Sequence, residues 1–143
     1  MKVQLFALKS QKNTSKKLYD MSSGKILLCE DNDMVIHMTR FALESEGFEV
    51  ETVSNTSEVF DRIKSVTPDI ILLDLNLPVD GGSFVMKKLK SEKETENIPV
   101  VLFSGEDKLP EISEKLKADG YIQKPYGVND LIGTIQKFIP KYK

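Results

Sequence analysis

A chain of 143 residues, 40% hydrophobic and 29% charged, has the make-up of one globular domain around one core. A net charge of −2 argues against direct DNA binding, and a single Cys29 and a single His37 exclude an internal disulfide framework, a structural zinc site in the monomer and a histidine-based triad. The apolar patch at residues 3–8 is too short for a secretory leader and no stretch could span a bilayer, so a cytoplasmic protein without membrane insertion is expected.

Residues 1–24 stand apart. Positions 1–23 hold five Lys and one Asp, and "SQKNTSKK" follows neither a helical nor a strand period, which predicts a disordered basic arm. A regular alternation begins at Lys25, and the folded domain is expected over 25–140. "KILLCE" is a short apolar run ending in acid, the pattern of a buried strand, with Cys29 as an inert thiol. "DMVIHMTRFALESEG" predicts a helix capped by Asn32 or Asp33, with Val35, Thr39 and Ala42 on one side and Gly47 as its stop; His37 falls mid-helix as a surface or packing residue. "FEVETV" alternates as a strand. "NTSEVFDRIKSV" opens with Asn55 and Glu58 at capping-box spacing and turns Val59, Ile63 and Val66 inward. Pro68 separates it from "DIILLD", a third strand. "GSFVMKKLKSE" predicts a helix capped by Ser83, and "VVLFSG" a fourth strand after Pro99. Asp107 and Pro110 suit the start of another helix, with Ile112 and Leu116 on one face. "GYIQKPY" is a short fifth strand. Asn129 is placed to cap a last helix, with Leu131, Ile135, Phe138 and Ile139 inward and Pro140 as its stop.

Five strand–helix units predict an α/β fold: a five-stranded parallel sheet, doubly wound, with helices on both faces. Right-handed crossovers leave few arrangements, of which the flavodoxin-like order 2-1-3-4-5 is one. Functional groups then gather beyond the carboxyl ends of the strands. Glu30 and Asp31 close the first strand, Asp74 the third, Ser104 the fourth, and Lys124, followed by Pro125, the fifth. Three acids at close quarters raise one another's pKa unless a cation joins them. With no His or Cys ligand, Mg2+ or Mn2+ is the expected ion. Acids, a hydroxyl and a lysine are the parts for phosphoryl transfer to a carboxylate. Asp74, ionised at neutral pH, is the nucleophile; the metal and Lys124 neutralise phosphoryl oxygens, and Ser104 donates a hydrogen bond to one.

"LLCEDN", "IILLDLNLPVDGG", "VVLFSG" and "YIQKP", in this order, resemble the motifs of a response-regulator receiver domain, with its flavodoxin-like (CheY-like) fold. The resemblance runs from "KILLCEDN" to "FIP", about 115 residues. It implies Asp74 as phosphoacceptor, Asp31 as a direct metal ligand, Glu30 as its acidic neighbour, and the Asn76 carbonyl as a further ligand. It implies Ser104 as a switch hydroxyl, Lys124 as the phosphate-facing lysine, Pro125 as the Lys-Pro step, often cis, and Tyr121 as an aromatic that moves with the switch. Asn76 and Glu106 match the positions that tune dephosphorylation, and polar side chains there predict a short-lived phosphoryl group. Two departures stand out. "VDGGSF" replaces a hydrophobic residue before Asp-Gly, so the loop after the third strand is expected to be unusual and flexible. The segment from Ser104 to Lys124 is a residue or two short, so a trimmed fourth helix or following loop is expected, which puts the usual output surface in doubt.

The leading expectation is a stand-alone response regulator of a two-component system, not an enzyme in the ordinary sense although it assists its own phosphorylation and dephosphorylation. A sensor histidine kinase or a histidine phosphotransfer protein would donate the phosphoryl group. The chain ends soon after the last helix, so output is expected through a downstream protein target or onward transfer. The alternative is a receiver-like interaction module independent of phosphorylation. A small phosphatase of the haloacid dehalogenase type is disfavoured, because that class wants an acid where this chain has Asn76.

Overall fold

The computed structural model describes residues 24–139. The expected arm at 1–24 lies outside the described residues except for Gly24, as does the expected stop at Pro140. Five strands alternate with helices: β1 (Gly24–Cys29), α1 (Asp33–Ser45), β2 (Phe48–Val53), a 3-10 turn (Thr56–Glu58) leading into α2 (Val59–Val66), β3 (Ile70–Asp74), α3 (Gly82–Ser91), β4 (Val100–Ser104), α4 (Leu109–Leu116), β5 (Gly120–Gln123) and α5 (Val128–Phe138). The strands form one parallel sheet in the order β2-β1-β3-β4-β5, the flavodoxin-like order expected. Among the described residues no helix is long and apolar enough to cross a membrane.

The continuous apolar runs follow from burial on both faces. Side chains alternate across a strand, so Ile26, Leu28, Ile70 and Leu72 pack on one face beneath α1 and α5, while Leu27, Cys29, Ile71 and Leu73 pack on the other beneath α2, α3 and α4. The edge strand β2 keeps a half-exposed alternation, with Glu49 and Glu51 outward. Cys29 is fully enclosed; burial first, and then the Asp74 charge, push its thiol up to about 12, so it stays protonated and inert.

Helix starts depart from expectation more than strands do. Asn32 caps α1 by accepting from the Val35 amide at 3.0 Å. Asn55 and Glu58 form no capping box: the Asn55 side chain is engaged by Ser57 and Glu58, and a 3-10 turn precedes α2. Ser83 does not cap α3, whose N-cap is Gly81, and Asn129 lies inside α5, whose N-cap is Gly127. The reason at α3 is close packing. A Cβ on Gly82 would stand 2.6 Å from the Asp74 carbonyl oxygen and 2.7 Å from Leu75 Cα, so the first turn of α3 presses against the end of β3.

Gly82→Ala is therefore predicted to lower stability by about 1–3 kcal/mol through overpacking against backbone. Gly133→Ala, in open space on α5, should raise it by roughly 0.5–1 kcal/mol. Urea titration of the two variants checks both signs.

Candidate functional site

The register of the sheet assembles the site. Cys29 pairs with Leu73, so Glu30 follows level with Asp74. Asp74 pairs with Phe103, and Ser104 with Gln123, which brings Lys124 to the same rim. Asp74 has the parity of Leu72, and Glu30 and Lys124 continue that of Leu28 and Ile122, so the three turn toward the α1/α5 side.

Glu30 is 1% exposed and fully engaged. One carboxylate oxygen accepts from the Asp31 and Asn32 amides at 3.1 and 3.0 Å, and the other accepts from Lys124 Nζ at 3.0 Å. Lys124 Nζ also stands 3.8 Å from Asp74 Oδ2 and 4.8 Å from the Phe103 ring centre, a cation–π contact that carried no sequence signal. Asp74 is 4% exposed, and its Oδ1 accepts from the Asn76 amide at 3.0 Å. Burial pushes the Asp74 pKa up; the Asn76 amide and Lys124 oppose the rise, and Glu30 adds to it. Asp31 is exposed beside them.

Glu30, Asp31 and Asp74 each offer a carboxylate oxygen, all within 4.8 Å of one another. An all-oxygen set with one exposed member fits a hard divalent cation that keeps some of its waters. The loop after β3 adds a free acceptor. The carbonyls of Asp74, Leu75, Leu77 and Pro78 take hydrogen bonds from Leu77, Gly82, Gly81 and Thr56, whereas that of Asn76 takes none among the described residues.

Asn76 and Ser104 adjoin this pocket along the rim, and Tyr121, in β5, stands three residues before Lys124. Ser104 is buried, and its hydroxyl accepts from the Glu106 amide at 3.0 Å, while its carbonyl accepts from the Lys124 amide at 2.8 Å. Tyr121 is 45% exposed on the edge strand. The Asn76 and Glu106 side chains are exposed at the rim, and the Lys124–Pro125 peptide is cis. Beyond it, the Tyr126 hydroxyl and Thr39 Oγ1 are 2.6 Å apart, tying the β5–α5 loop to α1. The loop expected to be unusual contains a cis Pro78–Val79 peptide, and Thr56 bonds residues 78–80 through its amide and hydroxyl.

An acidic pocket at the carboxyl rim of a 2-1-3-4-5 sheet, with a lysine just past the last strand, defines a receiver fold. The chain belongs to the response regulator receiver domain family, whose model matches residues 26–136. It is 30% identical over 124 residues to the phosphate regulon transcriptional regulatory protein PhoB of Rhizobium meliloti, covering 83% of this chain and 53% of that protein. It is 32% identical, with a TM-score of 0.69, to the phosphorylated cyanobacterial phytochrome response regulator RcpA, covering 81% of this chain and 93% of that one. The chemotaxis response regulator CheY4 of Vibrio cholerae superposes with a TM-score of 0.73 at 26% identity, covering 80% and 97%. The chain spans about half the length of the curated relatives it matches. Members of the family take a phosphoryl group on an aspartate in two-component signalling and bind Mg2+ at an acidic pocket.

Because the fold holds the Asp74 proton more tightly than the unfolded chain, its contribution to stability is present at acid pH and is lost as pH rises from the ordinary 3.8 through the raised folded value. Asp74→Asn should remove that slope in metal-free buffer. At pH 7 it should raise Tm in metal-free buffer and abolish any further rise on adding Mg2+. Thermal melts across pH, with and without Mg2+, check this.

Proposed function

We propose that this chain is a phosphorylation-dependent response regulator whose acceptor is Asp74, and that it takes the phosphoryl group from a phosphohistidine on a sensor kinase or phosphotransfer protein. The observation that carries the reading is the convergence of Glu30, Asp31, Asp74 and Lys124 at one rim. An oxygen of the Asp74 carboxylate attacks phosphorus. The new O–P bond forms as the donor's N–P bond breaks, and the electron pair leaves with the imidazole nitrogen. Such a transition state needs positioning and positive charge more than covalent help. Lys124 Nζ, within reach of Glu30 and Asp74, supplies one positive charge; the Asn76 amide orients Asp74. Glu30, Asp31, Asp74 and the Asn76 carbonyl would hold Mg2+, which when bound supplies the remaining charge neutralisation. The domain so assists its own phosphorylation and, through the exposed Asn76 and Glu106 beside the acceptor, its own dephosphorylation, in which water attacks phosphorus and the Asp74 carboxylate leaves.

Transmission to a partner runs through Ser104. In the structure its hydroxyl is occupied by the Glu106 amide and Tyr121 stands outward. A phosphoryl group on Asp74 offers the Ser104 O–H a charged acceptor, whereas the Glu106 amide engages the hydroxyl only as a donor to its oxygen. Turning toward it releases the Glu106 amide and alters the surface of β4, β5 and the loop between β4 and α4. A donor protein must reach Asp74 past the α1/α5 side. There Met34, Met38 and Phe41 form an exposed apolar stripe, beside a cavity of about 390 Å3 that reaches Lys124.

Incubation with acetyl phosphate and Mg2+ should add the mass of one phosphoryl group to the parent chain and none to Asp74→Ala; an unmodified parent chain would favour the phosphorylation-independent module. The adduct should decay without a phosphatase in less than hours. Phe41→Glu should lower transfer from a cognate phosphohistidine protein by about tenfold while leaving acetyl phosphate use unchanged. Stopped transfer reactions resolved by mass spectrometry separate the two effects.

A further inference from the structure

Residues 78–80 lie beside the acceptor, yet little packing holds them. Val79 is 79% exposed and Asp80 is exposed, whereas Leu77 just before them is fully buried. Every hydrogen bond these three residues make among the described residues goes to Thr56, which is itself 2% exposed. The Thr56 amide donates to the Pro78 carbonyl at 2.6 Å. The Thr56 hydroxyl accepts from the Val79 and Asp80 amides at 3.0 and 3.1 Å and donates to Asp80 Oδ2 at 3.2 Å. A hydroxyl has one proton and two lone pairs, so this one is used to capacity.

The choice of amides matters. Val79 and Asp80 are the third and fourth residues after Asn76. In a tightening chain their amides are the donors that would close a 3-10 or α turn on the Asn76 carbonyl. Their capture by Thr56 coincides with the one carbonyl in the run from Asp74 to Pro78 that takes no hydrogen bond among the described residues. We propose that Thr56 is a positioning residue for the metal site: by taking the Val79 and Asp80 amides it keeps the Asn76 carbonyl unpaired and available to the cation. The inference rests on the metal role assigned to Asn76 under the proposed function. Thr56 itself touches neither the metal nor the phosphoryl group.

Thr56→Val keeps the side chain's shape and removes the oxygen; Thr56→Ser keeps the oxygen and removes the methyl. Mg2+ titrations of the full chain, followed by the Asn76 carbonyl carbon resonance and by thermal stability, give a readout independent of phosphorylation. Thr56→Val should raise half-saturating Mg2+ by about five- to tenfold and shift the metal-free Asn76 carbonyl resonance toward its hydrogen-bonded position. Thr56→Ser should stay within about twofold of the parent. Should Thr56→Val fail to fold, Thr56→Ala removes the same oxygen and is read in the same way. Unchanged half-saturation in the variants without the oxygen, or a Thr56→Ser that binds as weakly as they do, overturns the inference and leaves the proposed function standing. A parent chain that binds Mg2+ but takes no phosphoryl group refutes the proposed function, and the Thr56 comparison still decides the inference. A parent chain with no Mg2+ response overturns both.

Discussion

The site depends on one ammonium group serving two enclosed carboxylates. Lys124 reaches Glu30 at 3.0 Å and Asp74 at 3.8 Å, and both acids are almost wholly removed from water. A buried pair of this kind adds little net stability, because desolvation of the charges opposes their attraction; what it does is fix where the charges stand. With Asp31 alongside, the pocket holds more negative than positive charge. The imbalance leaves it receptive to a further cation and, once a cation is present, to the anionic group that the family transfers.

The neighbouring loop shows how a partly exposed segment is tied down beside the site. Asp74, Leu75, Leu77 and Pro78 each give up a carbonyl to an internal bond, and Gly82 lets α3 close onto the end of β3. Fully buried Leu77 holds the inner side of the loop, and buried Thr56 holds the outer side by hydrogen bonding alone. Glycines that by themselves suggest looseness here serve close approach, with Gly81 taking a positive φ of 90° and Gly82 having no room for a Cβ. One buried residue within the loop, Leu77, and one outside it, Thr56, thus set its shape.

Much of the fold was legible in order. Runs such as "IILLD" and "VVLFS" have no polar alternation because both sides of β3 and β4 meet helices, and that pattern survives in one dimension. Acids and a lysine at the ends of such runs were visible for the same reason. Helix caps were read less well. Asn55, Ser83 and Asn129 each had the chemistry of a cap; Asn55 stands at the N-cap of the 3-10 turn with its side chain held by Ser57 and Glu58 instead, while α3 and α5 begin after Gly81 and Gly127.

The amino-acid order alone determined the alternation of strands and helices, the parallel sheet and the identity of Glu30, Asp31, Asp74, Ser104 and Lys124 as a group, because hydrophobic period and strand-end chemistry are local properties. Only the tertiary structure decided that Lys124 rests over Phe103, that Thr39 meets Tyr126, and that Thr56 clamps the loop 24 residues further on. Those contacts join segments through sheet register and loop path, and no spacing along the chain encodes which side chains such a path brings within hydrogen-bonding distance.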